Sequence, residues 1–106
     1  MESPESIIGK IVELGTSKYP DSEIYLYGSR ARGDSKRTSD WDLLFLLNTK
    51  VVSFEIETSI MDSFYDLELE TGEVFSPLIY SLSDWNKNHL FTPIFENVQK
   101  EGIRLK

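Results

Sequence analysis

At 106 residues and 12.2 kDa the chain has room for one modest core, and a single domain over residues 1–106 is expected. A hydrophobic content of 40% with 12% aromatic residues argues against disorder, and the absence of cysteine removes disulfides, thiolate zinc sites and a cysteine nucleophile. Net charge −7 argues against a free-standing nucleic-acid binder, and no apolar run is long enough to span a membrane, so a cytoplasmic protein with no membrane and no direct nucleic-acid contact is expected.

Ser3-Pro4 suits a helix start, with Ser at the N-cap and Pro at the first helical position, and Ile7, Ile8, Ile11 and Val12 give it one apolar stripe up to Tyr19-Pro20. A first strand is expected over Glu23–Tyr27. Gly28-Ser29 then turns into a short helix that ends near Gly33, with Ser29 at its N-cap. A second strand, Trp41–Leu47, carries the continuous apolar run Leu43-Leu44-Phe45-Leu46-Leu47. From Phe54 the steps of four, four and three between Ile56, Ile60, Phe64 and Leu67 predict a long amphipathic helix, stopped by Gly72. Glu73–Tyr80 reads as a third strand, and Pro77 within it points to an edge position or a bulge. Ser83-Asp84-Trp85 opens a helical turn, and Thr92-Pro93 starts a last helix that ends at Gly102. The expected architecture is α+β, a small mixed β-sheet with helices packed on one face. His89, the only histidine, reads as a helix-end residue, and Trp41 and Trp85 as core or interface.

The chemistry concentrates between the first two strands, in GSRARGDSKRTSDWDL. On an extended strand Asp40 and Asp42 project to the same side, roughly 7 Å apart along the backbone. Asp42 abuts the apolar run, where an unpaired charge is costly, so a hard divalent cation accounts for the pair better than solvation does. At Gly28-Ser29 the chain turns sharply, and free backbone N–H groups beside a hydroxyl form an anion site. Arg30, Arg32, Lys36 and Arg37 are four of the eleven basic residues, packed into eight positions of an acidic chain. Positive charge beside a carboxylate pair suggests a place where phosphates and a metal meet. By contrast, no basic residue lies between Lys50 and Lys87, where Glu55, Glu57, Asp62, Asp66, Glu68, Glu70 and Glu73 fall. That stretch is in part a solvated helix face and, in its sharper reading, a docking surface for a basic protein partner.

Gly28-Ser29, ten further residues and Asp40-Trp41-Asp42 between two strand-like runs resemble the nucleotidyltransferase signature of the DNA polymerase β-like superfamily. With Ala-Arg-Gly after the Ser, the stretch is similar to the minimal nucleotidyltransferases, or MNT proteins. The resemblance implies the polymerase β-like nucleotidyltransferase fold and transfer of a nucleoside monophosphate from a nucleoside triphosphate, with ATP the expected donor, to an acceptor. It implies that Gly28, Ser29 and the nearby backbone hold the triphosphate tail, that Asp40 and Asp42 are catalytic and hold Mg²⁺, and that Arg30 and Arg32 contact phosphates or pair with the acids.

Members of the superfamily commonly carry a third carboxylate on the next strand, where this chain has Ser76 or Pro77; Glu73, at the strand edge, is the remaining candidate metal ligand. The length also stops short of the substrate-recognition domain of larger relatives, so another molecule is expected to present the acceptor. Minimal nucleotidyltransferases often act beside a small helical HEPN-type protein as the antitoxin of a toxin–antitoxin pair, by adenylylation or by binding. AMP transfer to a hydroxyl of such a partner is the implied function. Its rival is a non-catalytic module of the same fold that neutralises a partner by docking alone.

Overall fold

The computed structural model describes residues 2–106; Met1, at the head of the acidic N-terminal stretch, lies outside the described residues. Among them five helices and four strands follow in the order α1 (Pro4–Lys18), β1 (Glu23–Tyr27), α2 (Ser29–Arg32), β2 (Trp41–Leu47), α3 (Phe54–Thr71), β3 (Phe75–Ser81), α4 (Leu82–Asn88), α5 (Pro93–Glu101) and β4 (Ile103–Arg104). The strands form one mixed sheet in the order β3-β2-β1-β4, with β1 antiparallel to both β2 and β4, and β2 parallel to β3. Pro77 accordingly sits on an edge strand, where its missing N–H breaks no inner ladder.

The helices start where small hydroxyl side chains cap them. Ser3, Ser53, Ser81 and Thr92 each accept a hydrogen bond from the backbone N–H three residues on, a contribution of about 1 kcal/mol apiece. Gly72 closes α3 in the left-handed conformation expected of a helix C-cap.

The expected α+β mixed sheet is present, but the helices do not gather on one face. Ile24, Leu26, Trp41, Leu43, Phe45 and Leu47 pack against Ile7 and Ile11 of α1 and Ile60, Phe64 and Leu67 of α3. The alternate residues Leu44 and Leu46 pack against Trp85 of α4 and Val98 of α5. The unbroken apolar run of β2 has this physical meaning: a strand covered on both faces needs apolar side chains in both phases. Phe45 is fully buried between Tyr19 and Phe64, edge-on to each at 5.9 and 6.3 Å, contacts worth about 0.5–1.5 kcal/mol per pair beyond area burial. Trp41 and Trp85 both lie in the core, and His89 caps the end of α4, bonded to Asp84 at 3.1 Å. Among the described residues no helix is long and apolar enough to cross a membrane.

The short strand β4 has no counterpart in the sequence expectation. It is two residues long, and it pairs with Tyr25 and Leu26 only after Gly102 has released the chain from α5. This return brings the C-terminal end of α5 to the Gly28 corner.

Candidate active site

Register and alternation put the acids together. Asp42 is opposite Tyr27 on β1 and opposite Ser76 on β3, so all three belong to the face covered by α4 and α5. Asp40 precedes β2 by one residue and shares the phase of Asp42; the Ser76 hydroxyl donates to Asp40 Oδ2 at 3.3 Å. Asp40 is exposed and Asp42 half-buried. Burial pushes the Asp42 carboxyl above the usual carboxylate range, and the nearby Asp40 charge pushes the same way. Arg32 opposes this and Glu101 adds to it. An environment that resists the charge of Asp42 gains from a cation.

Gly28 is the N-cap of α2, with φ 75° and ψ −159°, a region open in practice to glycine alone. A β-carbon there would collide with the Asp42 carboxylate, so the glycine is what allows the acid to reach the corner. Ser29, expected at the N-cap, is instead the first helical residue, and no side chain caps this helix. The turn is made by backbone freedom at Gly28, which displaces the cap one position toward the N-terminus.

The basic residues divide. Arg30 lies 4.6 Å above the Trp41 ring and donates to the carbonyls of Ser39 (2.9 Å) and Arg37 (3.3 Å). It braces the loop that leads into Asp40 and forms no pair with the acids. Arg32 pairs with Asp34 at 3.2 Å and reaches both oxygens of Glu101 at 3.2 Å. Glu101, at the end of α5, also accepts the Gly28 N–H at 3.2 Å. Nothing local in the sequence marks Glu101: a lone acid at a helix end acquires its place only through the β4 return.

Ser76 occupies the position beside Asp42 on β3, settling the choice between Ser76 and Pro77. Glu73 lies before β3, an odd number of residues from Ser76, and its N–H is held by Thr71 Oγ1 at 3.2 Å. Among the described residues no group of three or more His, Cys, Asp or Glu is arranged to hold a metal ion, so Glu73 does not join Asp40 and Asp42. What the site offers a cation is two carboxylates and a hydroxyl. That set suits Mg²⁺, which binds through one or two carboxylates and takes its other ligands from water and substrate phosphates.

The family model described as "Polymerase beta, Nucleotidyltransferase" matches residues 10–106. The chain belongs to the polymerase beta nucleotidyltransferase family. Solved structures of similar fold include a toxin–antitoxin with AMP-PNP, at TM-score 0.68 and 20% identity over 93% of this chain and 72% of that one. A mutant of the toxin–antitoxin MntA-HpeT is similar at TM-score 0.67 and 18% identity, over 93% and 72% of the two chains. A second MntA-HpeT mutant covers 99% of this chain and 73% of its own, at TM-score 0.64 and 18% identity. No curated protein sequence matches the chain significantly. The nucleotidyltransferase fold, with Gly28-Ser29 at the β1–α2 corner, Asp40 just before β2 and Asp42 on it, agrees with the resemblance carried by the signature.

Proposed function

We propose that this nucleotidyltransferase is a cytoplasmic, Mg²⁺-dependent enzyme that transfers AMP from ATP to a hydroxyl of a small helical HEPN-type partner, as the antitoxin of a toxin–antitoxin pair. The observation that carries the reading is the desolvated Asp42 carboxylate beside Asp40, against a glycine corner that admits no side chain. The toxin–antitoxin assemblies among its structural neighbours, one with AMP-PNP, support the kind of partner and donor.

In this reading Gly28 and Ser29 let the triphosphate tail approach the main chain, and Arg32 supplies a positive charge to it. Asp40 and Asp42, with the Ser76 hydroxyl, hold Mg²⁺, which when bound orients the α-phosphate and spreads its developing charge. Arg30 acts as a positioning residue, fixing the loop from which Asp40 projects. The acceptor hydroxyl attacks the α-phosphorus, the bond to the β-phosphate oxygen breaks, and pyrophosphate leaves. The hydroxyl proton passes to water, because Asp40 and Asp42 are engaged as cation ligands in this reading.

Incubation with Mg²⁺, ATP labelled at the α-phosphate, and a small helical HEPN-type protein that binds this chain should label that protein. Asp40→Asn/Asp42→Asn should lower labelling by about 100-fold or more. Equal labelling by the double variant rules out the carboxylate site. A second reading is favoured by Ser76 in the place of a third acid: neutralisation by docking alone. It expects full neutralisation by the double variant and no thermal shift with ATP.

A further inference from the structure

The long helix α3 buries Ile60, Ser63, Phe64 and Leu67 and turns a second apolar stripe outward. Phe54, Met61, Tyr65 and Leu69 are exposed by 79%, 45%, 60% and 69%. Their spacing of seven, four and four keeps them on one side of a helix of 3.6 residues per turn, a ridge about 22 Å long. Single exposed apolar side chains are ordinary, but four aligned large ones form a patch of the sort that marks an interaction surface.

The flanks say what fits it. Exposed Glu55, Asp62 and Asp66 border the ridge on one side and exposed Glu57 on the other, and α3 carries no basic residue. Glu68 and Glu70 are engaged within the molecule, by the Phe75 N–H at 2.8 Å and by Lys10 at 2.9 Å. Lys18, the neighbouring base from α1, is turned onto the Ser63 hydroxyl at 2.7 Å. A second copy of the chain would bring these carboxylates against one another, and like charges facing across an interface oppose association.

The geometry points to the outward face of α3 as the docking surface for a protein partner that presents an apolar helix ridge flanked by Lys and Arg. The inference rests on the protein partner of the proposed function but not on nucleotide transfer; the ridge lies on the face of the sheet opposite Asp40 and Asp42, so the partner segment bound here is distinct from the one that carries the acceptor hydroxyl.

The probe is a synthetic helical peptide of about 18 residues, with Leu at heptad core positions and Lys at the flanks, matched in length to α3. A counterpart with Glu at the flanks serves as control. Calorimetry without nucleotide should give one-to-one binding of the Lys peptide, weakened by raised salt, and none of the Glu peptide. Amide shift changes should map to α3. Met61→Gln/Tyr65→Gln/Leu69→Gln, which keeps every acid, should weaken binding about tenfold or more. Glu57→Gln/Asp62→Asn/Asp66→Asn should remove the salt dependence. Far-ultraviolet circular dichroism checks that both variants fold, as exposed positions allow. Absence of binding, unchanged binding by the Gln variant, or shifts away from α3 overturns the inference. So does self-association of the chain that the Gln variant abolishes, which would make a second copy the occupant. Labelling of a partner by an intact Asp pair alongside any of these results leaves the enzymatic reading standing.

Discussion

The backbone N–H of Gly28 donates to Glu101 Oε1 at 3.2 Å, tying the Gly-Ser corner to the end of α5 across 73 residues of sequence. Arg32 holds both oxygens of the same carboxylate. An internal anion thus takes up donors that a phosphate group would use, and a nucleotide tail that enters the corner must displace it. Glu101→Gln removes the competing charge and leaves the shape. In Mg²⁺, calorimetry should show ATP binding tighter by about fivefold, the scale of a partly exposed ion pair. Weaker binding would make Glu101 a helper of the Asp pair instead of a competitor.

The corner itself depends on Gly28. Gly28→Ala faces two penalties together, a backbone region that L-residues avoid and a collision with the Asp42 carboxylate. A stability loss of roughly 2–4 kcal/mol is expected from urea unfolding. Gly33→Ala is the control: its φ of 83° is also left-handed, but its β-carbon meets open space, so about 1 kcal/mol is expected. Equal losses at the two sites would mean that the approach of Asp42 to the corner has no energetic weight.

This contrast also separates what was legible in the sequence from what was not. The strands β1 and β2, the caps at Ser3 and Gly72, the shared side of Asp40 and Asp42 and the turn at Gly28 follow from local rules: alternation, capping and glycine at a tight turn. Pro77 correctly marked an edge strand. The second helical layer was written into Leu44 and Leu46, but a single apolar run does not say which partners cover each phase. Glu101 and β4 were beyond local reading, because their positions are set by pairing between residues far apart in sequence. Arg30 and Arg32, alike in composition, were divided by the helix phase of α2, which turns one to Trp41 and the other to Glu101.

Tyr27 gives a pH dependence with a definite sign. Burial pushes its hydroxyl up to about 12, with the Asp42 charge and Tyr80 acting in the same direction. In the unfolded chain a tyrosine ionises near 10. Between about pH 10 and 12 the unfolded state therefore loses a proton that the folded state keeps, and stability falls as pH rises through this window. Below it the contribution is constant. Tyr25, pushed up by burial and its bond to Glu23, adds to the fall. Urea midpoints measured from neutral to alkaline pH should decline less steeply in Tyr27→Phe, and its tyrosinate absorbance should lack the highest-pH step. Identical curves for the two proteins would contradict the buried setting of this hydroxyl.

Ser76 stands where an acid would complete a three-carboxylate site, opposite Asp42 and bonded to Asp40. Ser76→Asp places a third negative charge on the same face of the sheet. Without a divalent cation the three acids repel, and burial already disfavours the charge on Asp42, so Tm should drop by roughly 4 °C. With Mg²⁺ the loss should reverse, because an ion that binds only the folded state stabilises it by mass action. Thermal unfolding with and without Mg²⁺, compared with wild type, reads both effects. If the site performs transfer, the same substitution should also speed labelling of the partner by about tenfold, within the range that general-base placement provides. A variant that loses stability and regains none with Mg²⁺ would show that Asp40, Asp42 and position 76 do not converge on one ion.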